Sequence, residues 1–164
     1  MLTQERLKEV LSYDSTTGLF IWVVSRGKLK NGATAGYNRP DGYNHIKLDY
    51  KYYYTHRLAW LYVYGEFPEN EIDHINQNRS DNRISNLREA NRQENKHNQS
   101  KPNKNNASGY LGVYWNKIEK KWSAQIAING KDKRLGVFNT AEEASEAYLK
   151  AKRKLHTFWV EKTL

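Results

Sequence analysis

Cysteine is absent from this 164-residue sequence, which also contains only 3 prolines and 1 methionine. Without cysteine the chain has no disulfide framework, no thiol nucleophile and no thiolate zinc site. A bound metal would therefore be held by His, Asp, Glu, Asn or water, and this set of ligands favours a magnesium-like ion over zinc.

Long hydrophobic runs are missing as well. The mean hydropathy is -0.96, and no stretch approaches the roughly 20 apolar residues that a membrane helix needs. The amino-terminal residues also lack the apolar core of a signal peptide. We therefore expect a soluble cytoplasmic protein that has no membrane partner.

Charge of one sign dominates, because 27 Lys and Arg face 18 Asp and Glu for a formal net charge of +9. The excess is concentrated in residues 101–164, which hold 13 of the basic and 6 of the acidic residues. A basic chain of this size that also carries 12 Tyr and 5 Trp is typical of proteins with a polyanionic partner. The plain alternative is a solvated basic surface.

The order of the predicted elements indicates an α+β protein with two small domains. The first domain, residues 1–98, is expected to hold a helix to about residue 13, several strands and a helix over residues 56–64 that ends at Gly65. Its last part is a strand ending near His74, a polar loop, a strand over residues 84–87 and a helix. Residues 99–107 lack large apolar side chains and are predicted to be a linker.

The second predicted domain is residues 108–164, with three antiparallel strands and one helix. Thr140 and Glu143 are spaced as a capping box at the start of that helix, which covers one face of the sheet. The other face is polar and can meet a nucleic-acid groove. Lys101 and Lys104 of the linker are expected to follow the DNA backbone.

A carboxylate, an imidazole and two amides are spaced for chemistry in the first domain. Asp73 and His74 end one strand, and Asn86 and Asn95 follow on the next strand and helix. Hydrolysis of a phosphodiester needs a base that takes a proton from water and a cation that neutralises the developing charge. Histidine can be that base near neutral pH, and magnesium needs only one or two protein oxygens.

These residues resemble the HNH endonucleases of phage and intron origin, the homing type, whose core is the ββα-metal motif. The resemblance is carried by IDHIN at 72–76, DNRISNLR at 81–88 and Glu94-Asn95, with THRLAW at 55–60 before them. It implies double-stranded DNA as substrate, His74 as general base, and Asp73 and Asn95 as ligands of one divalent ion, magnesium or else manganese. Asn86 would brace the loop and orient the imidazole. The family often has glycine where this chain has Gln77, so we expect a different loop backbone there.

A second resemblance covers about residues 108–159. SGYLGV, KWSAQI, LGVF and TAEEA are similar to the Apetala and ethylene-response-factor DNA-binding domain, whose sheet lies in the major groove. The outward strand residues expected to reach bases or phosphates are Tyr114, Asn116, Gln125 and Arg134. Plant members carry several arginines on that face, and this chain does not, so the plant sequence preference is not implied.

Two functions remain open at this point. One is a metal-dependent DNA endonuclease that nicks or cuts both strands, and the other is a noncatalytic, sequence-specific DNA-binding regulator. The complete set of Asp73, His74, Asn86 and Asn95 favours the nuclease, because a regulator needs neither a base nor metal ligands in register. The sequence is compatible with both a monomer and a homodimer. Asn82 is expected to brace the loop, and His56 to hydrogen-bond within the domain.

Overall fold

The structure, a computed structural model, describes residues 1–25, 27–28, 30–99 and 101–160. It divides into two compact units, Met1–Asn91 and Arg92–Leu164. Helices and small antiparallel sheets occur in both units, which is consistent with the predicted α+β class. The predicted boundaries at residues 98 and 108 stay predictions, and Ser100 of the predicted linker lies outside the described residues.

In its described residues, the first unit contains two α-helices, a 3-10 helix and seven strands. In chain order they are α1 (Gln4–Val10), β1 (Leu11–Asp14), β2 (Leu19–Trp22), β3 (Tyr37–Asn38), β4 (Asn44–Leu48), β5 (Lys51–Tyr54), α2 (Thr55–Tyr64), β6 (Glu71–His74), the 3-10 helix (Ile84–Asn86) and β7 (Leu87–Ala90). The strands form three antiparallel sheets, β1-β2, β3-β4-β5 and β6-β7.

The first helix is shorter than its sequence pattern predicts. Thr3 caps it by accepting a hydrogen bond from the Arg6 N–H, but the helix ends at Val10. The next four residues pair with β2, Leu11 with Trp22 and Asp14 with Leu19 at the two ends of the register. Pairing with β2 therefore overrides the helical periodicity that continues to about residue 13.

One hydrophobic core holds the first unit together. It is built from apolar residues of α1, the first two strands, β4 and α2, including Leu7, Phe20, Ile46, Leu58 and Leu61. The helix α2 ends where the sequence predicts, because Gly65 takes a left-handed conformation with φ of 87° and its N–H bonds to the Leu61 carbonyl. Glycine adopts this conformation without the steric cost that other residues meet.

The second strand of the β6-β7 hairpin starts later than predicted. Residues 84–86, which were expected to start the second strand, form the 3-10 helix, and the strand begins at Leu87. The Asn86 N–H bonds to the Arg83 carbonyl at 2.8 Å, which turns the chain just before β7. Strand pairing consequently brings Arg88 opposite Asp73 and Leu87 opposite His74.

As far as the structure describes it, the second unit is a three-stranded antiparallel sheet with two helices. Its elements are α3 (Arg92–His97), β8 (Val113–Asn116), β9 (Lys121–Ile128), β10 (Lys131–Phe138) and α4 (Ala141–Leu155), with strand order β10-β9-β8. The predicted capping box is confirmed, since Thr140 and Glu143 exchange side-chain hydrogen bonds at the start of α4. The helix α4 buries Ala144 against Val113 and Ala124 of the sheet.

A buried lysine lies near the end of α4. Lys152 is 1% exposed, and its ammonium group donates to the Gln99 carbonyl and lies 4.7 Å from the centre of the Trp159 ring. Beside it, the rings of His97 and His156 stack with their centroids 3.8 Å apart. Burial lowers the pKa of Lys152 to about 8, because a charged ammonium loses hydration there.

None of the helices in the described ranges combines the length and apolar composition that crossing a bilayer requires.

Candidate active site

The imidazole of His74 lies at the end of β6, in a pocket of aromatic and amide side chains. His74 is 4% exposed, and its ring centroid is 5.1 Å from that of His56 and 5.9 Å from that of Tyr43. Burial lowers the pKa of His74, while the hydrogen bond with Asn82 and the charge of Asp73 act in the opposite direction. The lowered pKa favours the neutral imidazole, the form that can accept a proton.

Asn82 forms a hydrogen bond with this imidazole. Its Oδ1 lies 3.4 Å from His74 Nε2, and its Nδ2 donates to Asn44 Oδ1 at 3.0 Å and to the Ser80 carbonyl at 3.1 Å. A carbonyl only accepts, so the Ser80 contact fixes which end of the amide is nitrogen. Oδ1 therefore faces His74. The sequence interpretation of Asn82 as a loop brace accounts for its hydrogen bond to Ser80 but not for its hydrogen bond with His74.

Asn86 joins the two ends of the loop between β6 and the 3-10 helix. Its Oδ1 accepts from the Asn76 N–H at 2.9 Å, and its Nδ2 donates to the Asp81 carbonyl at 2.8 Å. Its own carbonyl accepts from the Ile75 N–H at 2.9 Å. These bonds bridge both sides of the loop and hold it beside His74.

The loop is further fixed by Asp81. The Asp81 carboxylate accepts from Arg83 Nε at 2.8 Å, from Arg83 Nη2 at 2.6 Å and from Asn76 Nδ2 at 2.7 Å, and the bond from Arg83 is the main reason that its pKa falls to about 2. Gln77 occupies a left-handed conformation with φ of 62°. The glycine that the family often has at this position adopts such a conformation freely, so this chain keeps the left-handed turn with a side chain on it.

Asp73 forms an ion pair across the hairpin. Arg88 donates from Nε at 3.0 Å and from Nη2 at 2.8 Å to the same carboxylate oxygen, Asp73 Oδ2. The Asp73 side chain is only 7% exposed, and that of Arg88 is 22% exposed. Sequence reasoning missed this contact because it ended the second strand at residue 87, one residue before the position that faces Asp73.

The proposed metal ligands come from different units. Asp73 belongs to the first unit, and Asn95 lies on α3 in the second. Among the residues that the structure describes, no three His, Asp or Glu side chains lie close enough together to hold a metal ion. The donor chemistry nevertheless fits a hard divalent ion, because magnesium keeps most of its water and takes one or two protein oxygens.

His56 and Tyr43 were not expected beside His74. His56 is 7% exposed, and burial together with the neighbouring His74 lowers its pKa to about 3. Its Nδ1 is buried without a hydrogen-bond partner in the described residues, and the hydrogen bond within the domain that the sequence suggested for His56 stays a prediction. Position in the THRLAW segment was the available signal for His56, whereas nothing in the sequence marks Tyr43.

In the second unit, four of the expected DNA contacts share one face of the sheet. On β9, Lys121 pairs with Asn116, Ser123 pairs with Tyr114 and Val137, and Gln125 pairs with Arg134. Directly paired residues have their side chains on the same face of a sheet. The expected contacts therefore lie on the outward face of this sheet. Ser123 itself is fully buried although it faces outward, because Tyr114 and Val137 flank it.

Three of these four side chains already have hydrogen-bond partners. Arg134 forms an ion pair with Glu119, and Asn116 Oδ1 accepts the N–H groups of Ile118 and Glu119 in the following turn. Gln125 Nε2 approaches Asp132 Oδ2 at 3.4 Å. Lys101 and Lys104 are exposed.

Comparison with known proteins gives a family match for the segment that contains His74. Residues 53–97, which contain α2 and the β6-β7 hairpin, match the HNH endonuclease family. Protein 3.8 of Escherichia phage T7 is 30% identical over 116 residues, which make up 68% of this chain and 94% of the phage protein. No solved structure matches the chain.

The chain therefore belongs to the HNH endonuclease family. Along most of its length it is similar to Protein 3.8 of phage T7. Membership in this family supports a nuclease activity in general terms and implies a nucleic-acid substrate.

Proposed function

We propose that this chain is a metal-dependent endodeoxyribonuclease that hydrolyses phosphodiester bonds in double-stranded DNA, with His74 as the general base. The observation that carries the proposal is the buried imidazole at the end of β6, aligned by Asn82 within the segment that matches the HNH family. The relation to a phage protein is compatible with action in the cytoplasm of a host cell.

The tautomer of His74 follows from its contact with Asn82. Because Asn82 Oδ1 only accepts hydrogen bonds, His74 Nε2 carries the proton in this contact, and Nδ1 is then the basic nitrogen. In the reaction, the oxygen of a water molecule bonds to phosphorus, its proton passes to His74, and the bond from phosphorus to the leaving oxygen breaks. Asn86 keeps the loop, and with it Asn82, in place during this step.

Asp73 and Asn95 would hold one divalent ion, magnesium with manganese as the alternative. When bound, the ion supplies positive charge that stabilises the phosphorane and the leaving oxygen. Arg88 holds the Asp73 carboxylate in one orientation through two hydrogen bonds, which pre-positions that oxygen donor.

The sheet face of the second unit is the proposed contact to DNA outside the site. Its residues Tyr114, Gln125 and the Arg134–Glu119 pair meet the groove or the phosphates, and the relation of this unit to the Apetala-type domain belongs to the same proposal. For Arg134 to reach a phosphate, it must exchange Glu119 for that phosphate, so we expect its contribution to depend strongly on salt.

A plasmid assay with and without magnesium tests the nuclease directly. His74→Ala should lower the rate of nicking of supercoiled DNA by about 10²- to 10⁴-fold, because the base acts on the barrier, while DNA affinity stays nearly unchanged. Asp73→Ala and Asn95→Ala should instead raise the magnesium concentration at half-maximal rate. Nicking by His74→Ala at the parental rate would remove His74 as the base.

The alternative is a noncatalytic DNA-binding regulator, and the Asp73–Arg88 pair favours it, because the pair gives the carboxylate a structural role. A scaffold, however, does not need a buried imidazole that is held neutral and oriented. Magnesium-independent binding without nicking by the parental protein would decide for the regulator.

A further inference from the structure

A sheet face in the first unit carries tyrosines that neither the core nor the proposed catalytic step uses. Cross-strand pairing puts His45 between Tyr37 and Tyr54, and Lys47 beside Tyr52. These five residues therefore share the face of the β3-β4-β5 sheet opposite to the core residues Ile46 and Leu48. We name this set, Tyr37, His45, Lys47, Tyr52 and Tyr54, the tyrosine face.

The three tyrosines of the tyrosine face are open to solvent, whereas His45 between them is buried. Tyr37 is 49% exposed, Tyr52 is 58% exposed and Tyr54 is 38% exposed. None of the strand residues over 37–38, 44–48 and 51–54, all of which the structure describes, is Asp or Glu. The ammonium of Lys47 lies 5.2 Å from the centre of the Tyr52 ring, so the face combines aromatic surface with positive charge.

The tyrosine face is continuous with the candidate active site. Tyr54 is the last residue of β5, and its ring stacks on His56 with centroids 5.2 Å apart and an interplanar angle of 24°. The ring centroid of His56 in turn lies 5.1 Å from that of His74. Tyr43 also connects the face to the site, because its ring centroid lies 5.4 Å from that of Tyr54 and 5.9 Å from that of His74.

The composition of the face indicates which part of a nucleic acid it would contact. Phosphates of a duplex are bound mainly by Lys and Arg, whereas exposed aromatic rings on a sheet bind bases by stacking. The bases of an intact duplex are stacked on one another and present no free face. Three exposed tyrosines beside a single lysine therefore fit unpaired bases better than a duplex backbone.

We propose that the tyrosine face binds unpaired bases of the DNA next to the bond that His74 attacks, so that the preferred substrate carries a single-stranded segment beside its duplex. This inference rests on the proposed nuclease function, because it assigns the substrate class of that same site. Tyr54 connects the tyrosine face to the candidate active site. A DNA strand bound on the tyrosine face would therefore continue directly to His74.

Binding can be measured separately from cleavage with the full-length His74→Ala chain and no divalent metal. Fluorescence anisotropy compares a duplex that bears a single-stranded thymidine arm with a fully paired duplex of equal length. The armed DNA should bind more tightly, and Tyr52→Ala should weaken that binding by about 5- to 150-fold, the range of one lost base stack. Binding to the paired duplex should stay nearly unchanged.

Two further variants test whether the aromatic ring itself makes the contact. Tyr52→Phe should retain the affinity for the armed DNA, because the ring remains. Tyr64→Ala is the matched control, since Tyr64 is 54% exposed but lies on α2 against Trp60, and it should change neither affinity.

Three results would overturn the inference. Equal losses on armed and paired DNA would mean that the face meets a duplex, and a loss with Tyr52→Phe as large as with Tyr52→Ala would assign the contact to the hydroxyl. A smaller molecular mass of Tyr52→Ala in sedimentation would mean that the face joins two copies of the chain. Nicking of supercoiled plasmid by the parental protein is measured in parallel. If the protein nicks DNA but does not bind the armed DNA more tightly than the paired duplex, only this inference fails. If it binds the armed DNA more tightly but does not nick, the nuclease proposal fails.

Discussion

The ion pair between Asp73 and Arg88 leads to a quantitative expectation for Arg88→Met. The two side chains are 7% and 22% exposed, so both charges are largely withdrawn from water. Methionine keeps much of the side-chain volume but leaves the carboxylate without its guanidinium partner. Removing one member of a buried pair typically costs about 3–5 kcal/mol. Because Arg88 remains partly in water, we expect a loss near the lower end, roughly 3 kcal/mol.

Magnesium adds a second arm to this experiment. If Asp73 is a metal ligand, a bound ion compensates its charge in Arg88→Met and restores about 2.7 kcal/mol at 100 times the dissociation constant. Urea unfolding followed by circular dichroism, with and without magnesium, measures both effects. The double variant Asp73→Asn/Arg88→Met should recover most of the lost stability, because no charge is then left buried.

The reasoning would be refuted by two outcomes. A loss below about 1 kcal/mol for Arg88→Met would show that the pair behaves like an exposed contact. A magnesium effect of equal size in the double variant would show that the ion binds away from Asp73.

Three further predictions concern the loop, the buried lysine and the expected DNA contacts. Gln77→Gly should be more stable than Gln77→Val by about 1–2 kcal/mol in urea unfolding, because Gln77 has a left-handed φ that a β-branched residue strongly resists. Lys152 has a folded pKa of about 8 against about 10.4 unfolded, so between these values the unfolded chain binds more protons and stability should rise with pH. Lys152→Met should lose that rise, which urea midpoints measured from pH 7 to 10 will detect. Lys101→Ala with Lys104→Ala should lower the log-log salt slope of DNA binding by about 1.8 if each lysine neutralises one phosphate.

Local signals in the sequence predicted much of the fold of the second unit. The capping box at Thr140 and Glu143 acts over a few residues, and the structure contains it together with the three predicted antiparallel strands and their helix. Such signals depend on hydrogen bonds and backbone conformations within one turn, which a sequence displays directly.

The errors arose where distant pairing decides the structure. Residues 11–13 continue a helical pattern, yet they pair with β2 because that strand lies alongside. Residues 84–86 look like the start of a strand, but a backbone bond from Asn86 to Arg83 closes a 3-10 turn first. In both places a tertiary or medium-range contact outweighs local propensity, and a single sequence does not display that contact.

The candidate site shows the same division between local and distant information. Asp73, His74 and Asn86 follow from spacing, and Asn86 bridges the loop as its position suggests. Asn82 and Tyr43 reach His74 only because β4 and the loop between β6 and the 3-10 helix fold against the end of β6, through the bond from Asn82 to Asn44. Their contribution depends on that folding, which no motif encodes.

Strand geometry gives a physical reason for separate roles of the two adjacent residues. Successive side chains on β6 point to opposite faces, and their neighbours differ accordingly: Asp73 meets the guanidinium of Arg88, and His74 meets His56, Tyr43 and Asn82. On a regular strand, two such side chains do not converge on a single ion. This arrangement favours His74 as a base over His74 as a second metal ligand, and it follows from the alternation of a four-residue strand.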